Sequence, residues 1–330
     1  MKLACKSVTV PGREINTLVW AGDDLIDPTK SRRFKLDGTS IDERSYLSFP
    51  FDRGLFLQDL EVSWTIVYEN RGTKALLFKN SKIHRELNRT FYFAKTYDYP
   101  VAFAKTVDGR VVVIYCPDSY DTLQFEDAET GEVLGVKTTS GMEFHSRLAV
   151  SADCGHLVSA GWFWHPLGGA WLCSLDRFVG LPSENSKEVE FGFGAEIDSV
   201  AFLGNDRLVV STSSEVVNSE VPANGLGPMQ LGVWSLADGK WASIVSIEET
   251  TGMMMPWRDW VISFYGHPKA IDLATGAVVH RWDHIYSGRQ VGAIELGEPA
   301  PPPLALDAER GRFAVAGSEG IFVISLDISA

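Results

Sequence analysis

The chain has 330 residues, 45% hydrophobic and 22% charged, with a formal net charge of −13. That is the composition of a soluble globular protein, at a length that is large for one ordinary domain. Its acidity repels phosphate backbones, so nucleic acid is not an expected partner, whereas a basic protein would be attracted.

No apolar run approaches the ~20 residues that span a bilayer, so no membrane segment is expected. The opening MKLACKSVTVPGRE lacks an apolar leader core, so no secretory signal is expected either. The cysteines, Cys5, Cys116, Cys154 and Cys173, form no C-x-x-C pair. A zinc site or disulfide framework is therefore unsupported; a reducing, cytoplasmic setting fits, with Cys173 as a small core residue.

In chain order, residues 1–48 contain NTLVWAG and RRFKLDG, and residues 49–95 contain TIVYENRGTKALLFKN and KIHREL. Residues 96–141 show a full unit. A hairpin over 100–115 (PVAFAKTVDGRVVVIY) turns at Asp108 and Gly109, and a second over 125–134 (FEDAETGEVL) turns at Gly131. Residues 142–194 open on EFHSRLAVSADCGHLVSAGWFWHP, where 147–151 and 156–161 read as two strands around a turn at 152–155. Residues 195–249 pair SVAFLGNDRLVVS with VWSLADGKWASI and carry an insertion over 213–229. Residues 250–290 hold WVISFYGHPKAIDLATGAVVHRW. Residues 291–330 hold PLALDAERGRFAVA and FVISLD, which is only three strands. Gly131, Gly239 and Gly276 sit where such turns need positive φ.

Four-stranded units repeated every ~40–45 residues are the signature of a propeller. The fold class is all-β: a single β-propeller domain over 1–330 with about seven four-stranded blades; six or eight also fit the spacing. A propeller has to close its ring or leave a bare edge. Either the N-terminal strand, residues 3–10, completes the last blade, which is the preferred reading, or it opens the first.

The D-x-x-T-G turns at Asp127–Gly131 and Asp272–Gly276 resemble those of bacterial WD-repeat-like propeller proteins. More narrowly, RELNR (85–89), YDYP (97–100), FHSRLAV (144–150) and AGWFWHP (160–166) resemble a set of uncharacterised bacterial propeller proteins. The resemblance implies a fold and no activity.

In this strand order the connections between second and third strands, and from one blade to the next, share one face. That face gathers the unusual residues: Arg85, Asn88, Arg89, Tyr97, Tyr99, Tyr120, His145, Arg147, Trp162, Trp164, His165, Trp257 and His267. Aromatic and Arg content of this kind marks protein-binding hot spots, and equally marks residues packed between blades. The function expected is a non-enzymatic protein-interaction platform with a protein partner, a basic one fitting the charge. One concrete form is an immunity-type protein against a basic toxin. The alternative is a small-molecule enzyme or ligand-binding propeller with its site at the channel mouth.

No catalytic residue, metal ligand or cofactor is assigned. Ser146 adjoins His145 without a G-x-S-x-G elbow, and no phosphate loop occurs. Asp118, Asp121, Glu143 and Glu196 are rim carboxylates open to acid–base chemistry or simple solvation. His145, His165 and His267 come from separate loops. Arg85, Arg89 and Arg147 are expected either to hold an anionic group or to pair with Glu86, Asp98 or Glu143.

Overall fold

The structure, a computed structural model, describes residues 2–12, 14–42, 51–139, 143–163, 167–175, 186–192, 194–290, 292 and 300–329. Among the described residues, seven antiparallel four-stranded sheets follow one another along the chain. Blade 1 is Val19–Ala21, Asp24–Asp27, Arg32–Phe34 and Ser40–Asp42; blade 2 is Arg53–Asp59, Val62–Tyr68, Lys74–Lys79 and Lys82–Asn88. Blade 3 is Val101–Lys105, Val111–Tyr115, Thr122–Asp127 and Val133–Thr138; blade 4 is Leu148–Val150, His156–Ser159, Trp171–Ser174 and Glu188–Glu190. Blade 5 is Ala195–Leu203, Arg207–Val216, Gln230–Ser235 and Lys240–Ser246; blade 6 is Met254–Trp257, Trp260–Ser263, Lys269–Asp272 and Val278–Arg281. Blade 7 is Leu304–Asp307, Arg312–Gly317 and Gly320–Ser329, completed on its outer side by Lys2–Val10.

The ring is thus closed by the two chain ends, in an unbroken register from Lys2 opposite Ser329 to Val10 opposite Ile321. That pairing covers what would otherwise be the bare edge of Gly320–Ser329.

The local chemistry of the blades explains their regularity. Asp127 Oδ1 accepts from the Glu129 and Thr130 amides at 2.9 and 2.8 Å and from Thr130 Oγ1 at 3.1 Å. Asp272 does the same for Ala274 and Thr275 at 3.0, 2.9 and 2.9 Å. These Asx turns bend the chain, and Gly131 and Gly276, both at φ 75°, reverse it at no Cβ cost. Just beyond the turn, the outer strand of blades 2, 3, 5 and 6 carries one extra residue: His84, Leu134, Ala242 and Val279. A bulge of this kind increases strand twist, as the splayed outer edge of a blade requires.

Apolar residues alternate along the strands and meet between sheets. Six buried clusters each join neighbouring blades; Trp64, Ile66 and Leu77 of blade 2, for example, meet Val111 and Val113 of blade 3. Each such fully buried aliphatic side chain is worth about 1.5–3 kcal/mol. Between blades 1 and 2 lies instead a cavity of about 190 Å³ lined by Ile26, Phe56 and Phe78. Among the described residues there is no helix long and apolar enough to cross a membrane.

The hairpin of blade 4 has the two strands expected, slightly shorter. What the sequence did not announce is an eighth, three-stranded sheet on its loop side: Glu143–Phe144, Trp162–Phe163 and Leu167–Gly168. Two glycines permit it. A Cβ on Gly161 would strike the Phe144 carbonyl, and one on Gly168 would strike the Ile197 carbonyl of blade 5.

Candidate functional site

The connection from blade 2 to blade 3, residues 89–100, forms the most unusual surface of the loop face. Arg89 is its anchor. The guanidinium is buried and donates to five main-chain carbonyls: Gly72 at 2.7 Å, Ala94 at 2.8 Å, Tyr97 at 3.0 Å, Asp98 at 3.2 Å and Asn70 at 3.5 Å. It also lies over the rings of Tyr97 and Tyr99, at 4.5 and 4.8 Å from their centroids. One side chain therefore satisfies the polar backbone of a loop that makes few ladder bonds.

Asp98 is the second anchor. Its carboxylate accepts from Asn70 Nδ2 at 2.8 Å, Arg71 Nη2 at 3.1 Å and Gln290 Nε2 at 3.1 Å, and its carbonyl accepts from Ser146 Oγ at 3.2 Å. Asp98 thus joins blades 2, 3 and 4 to the connection between blades 6 and 7.

On this base the chain projects Phe91, Tyr92 and Phe93, which are 85%, 46% and 42% exposed. Phe93 has φ 50°, a left-handed conformation that bulky residues seldom adopt, and its carbonyl closes the turn onto the Thr96 amide at 2.8 Å. Beneath these rings runs a column of aromatics. Tyr120 stacks on Phe144 at 4.0 Å, Phe144 stacks on Trp162 at 4.3 Å, and Tyr97 meets Phe144 edge-on at 5.3 Å. Tyr92 stacks over Tyr120 at 5.4 Å, and Phe93 meets Trp162 edge-on at 6.3 Å. Offset and edge-to-face pairs like these contribute about 0.5–1.5 kcal/mol each beyond burial. Burial pushes the Tyr97 hydroxyl up to about 12 and raises that of Tyr99, whose OH donates to the Leu87 carbonyl at 2.8 Å. Both are neutral packing residues.

The remaining candidates divide by position. Arg85 is not on the loop face: it lies in the outer strand of blade 2 and pairs with Glu126 of blade 3, not with Glu86, Asp98 or Glu143. Trp257 is also off that face. It ends the first strand of blade 6 at a tight turn on the opposite side, stacks on Trp260 at 5.8 Å, and packs where a Cβ on Gly311 would touch it. Asn88 closes the outer strand of blade 2 and donates to Glu86 at 2.9 Å. His267 Nδ1–H donates to the Ile285 carbonyl at 2.8 Å. Trp164 and His165 lie outside the described residues.

His145 is fully buried beside Trp171, with Nδ1 3.0 Å from Ser159 Oγ and, among the described residues, no partner at Nε2. Burial pushes its pKa down to about 4, so the ring is neutral. Ser146 turns its hydroxyl to the Asp98 carbonyl, away from this imidazole, so the two do not form a nucleophile–base pair. Glu143 is buried, and burial raises its pKa well above the carboxylate range. Among the described residues no three His, Cys, Asp or Glu gather as metal ligands.

The central channel holds a cavity of about 430 Å³ lined by the first strands of blades 1, 2, 3, 4 and 7. Arg53, Asp98, Arg147 and Gln290 reach it among mostly apolar walls.

The Phe91–Phe93 projection was not among the sequence candidates, and Asp98 was expected only as an ion-pair partner of Arg85, Arg89 or Arg147. Three aromatics in a row within a connection, with no strand alternation, were the available signal for the first.

Among solved structures, the chain is similar to the Neurospora crassa Pan2 WD40 domain, with TM-score 0.53 and 14% identity over 96% of this chain and 90% of that one. It is also similar to BamB from Moraxella catarrhalis, with TM-score 0.50 and 13% identity over 100% and 98% of the two chains. A third likeness is the computationally designed Ika8 protein, with TM-score 0.53 and 14% identity over 96% and 98%. At these identities the likeness speaks for the fold alone, which is that of a β-propeller. No protein-family model and no curated protein matches it.

Proposed function

We propose that this propeller is a protein-interaction platform that binds through its loop face, with the Phe91–Phe93 projection as anchor. The observation that carries the reading is the exposure of three adjacent aromatic rings, Phe91 at 85%, on a column of stacked rings locked from below by Arg89. Large apolar rings held in water on a rigid base cost solvation that a partner relieves, and aromatics dominate interface hot spots. Preorganisation by Arg89 and Asp98 lowers the ordering cost of binding.

The partner is a basic protein. Support comes from the net charge of −13, from Asp118 and Asp121 flanking Tyr120, and from ring faces that attract Arg and Lys side chains. An immunity-type role against a basic toxin is one form of this. The four free thiols and the charge suit a cytoplasmic setting.

The test is affinity capture from the native host with wild type and a Phe91→Ser/Tyr92→Ser double variant. The variant should keep the wild-type melting curve and lose its partner at least tenfold. Equal capture by both proteins defeats the face assignment; an acidic partner defeats the charge argument.

A further inference from the structure

The channel contains charge that the platform reading does not use. Arg147 leads into the first strand of blade 4 and lines the 430 Å³ cavity. Of its five donors, one is engaged: Nη2 donates to the Asp198 carbonyl at 3.2 Å. Its Nε is buried with no partner, and among the described residues no carboxylate stands within ion-pair distance of it. Asp198, like Asp98, attracts it only from beyond ion-pair distance. The Asp198 side chain is 2% exposed, its Oδ2 has no partner, and burial pushes its pKa up to about 7. Arg53 reaches the same cavity and donates only to the Asp52 carbonyl, at 2.9 Å. By contrast Arg71, nearby, is neutralised by Asp98. Asp98 also lines the cavity but is held by Asn70, Arg71 and Gln290. In a chain with 43 acidic and 30 basic residues, two guanidinium groups thus stand at one cavity with, among the described residues, no carboxylate in ion-pair contact, an arrangement that favours an anion there.

The rest of the wall combines apolar side chains, Leu18, Leu55, Val101, Leu148, Met253 and Pro302, with polar ones, Asn16, Thr17, Asn70, Gln290 and the already paired carboxylate of Asp98. The volume lies within the ~300–1,000 Å³ of ordinary ligand pockets. We infer that the channel binds a small organic carboxylate with an apolar body, its carboxylate held by Arg147 and its body against the first strands of the blades. The inference is independent of the loop-face reading, since none of the Phe91–Phe93 rings lines this cavity.

Titration calorimetry with benzoate and octanoate, each against its uncharged amide, tests it in wild type, Arg147→Gln and Met253→Trp. At least one carboxylate should bind wild type at least tenfold tighter than its amide. Arg147→Gln should abolish that preference, and Met253→Trp, which fills the cavity, should abolish binding. Should Arg147→Gln not fold, the wild-type acid–amide comparison and Met253→Trp still decide. The inference is overturned if both carboxylates bind no tighter than their amides, or bind folded Arg147→Gln as well as wild type. It is equally overturned if Met253→Trp binds them unchanged, or if inorganic phosphate alone binds.

Discussion

His145 offers a direct measure of how tightly the loop face is packed. In the folded protein burial holds its pKa near 4, against 6.5 for a free imidazole. The unfolded chain therefore takes up a proton that the folded chain refuses between those values, and stability is lost as pH falls from 6.5 through 4. A gap of ~2.5 pH units corresponds to about 3 kcal/mol. Asp198 and Glu143 act with the opposite sign: their folded pKa values are raised, so the stability they contribute is lost as pH rises from about 4 upward. A bare pH scan would mix these effects. The difference between wild type and His145→Gln removes the carboxyls, which both proteins share, while glutamine retains a polar group for Ser159. Urea unfolding followed by tryptophan fluorescence at pH 4, 5, 6 and 7 should show the wild-type advantage shrinking by about 3 kcal/mol from pH 7 to pH 4. A difference constant to within about 0.5 kcal/mol would refute the burial argument. So would an imidazole resonance of His145 titrating near 6.5.

Two further outcomes follow from the fold. Arg89→Lys keeps the charge and loses the fork that reaches five carbonyls; losing even two such bonds should cost about 3 kcal/mol or more, with faster tryptic cleavage after Lys95. Unchanged urea midpoint and cleavage rate would contradict that role. Deleting residues 2–10 exposes the whole of Gly320–Ser329 as an edge strand, so the shortened protein should self-associate in size-exclusion chromatography, and a peptide KLACKSVTV should restore the monomer. A shortened protein that stays monomeric and folded would show that the closing strand is dispensable.

The blades were legible because their signals are local. Asp127 and Asp272 build their turns from the next three residues, so D-x-x-T-G announces a hairpin wherever it stands. Trp257 shows the converse. Its turn uses Arg258 at φ 56° in place of a glycine, so MMMPWRDWVIS carries no turn signal and the tryptophan was assigned to the wrong face. Arg85 was expected to pair with Glu86, Asp98 or Glu143, but its carboxylate is that of Glu126 on the facing sheet. Trp162 reads as a rim residue until the extra sheet with Glu143–Phe144 buries it.

Alternation and turn chemistry depend on neighbours within a few residues, so the four-stranded unit and the order of the blades could be read from the chain, while the choice among six, seven and eight blades and the closing strand awaited the ring itself. Exposure and partnership depend on which blades the ring sets side by side. Phe91 and Phe144 are the same residue type in similar company, yet one projects into water and the other is sealed between Tyr120 and Trp162. Arg89 and Arg147 are likewise alike in sequence. Packing surrounds one with carbonyls and leaves the other facing the channel with a single hydrogen bond, because the groups that reach them come from segments brought together only when the ring closes.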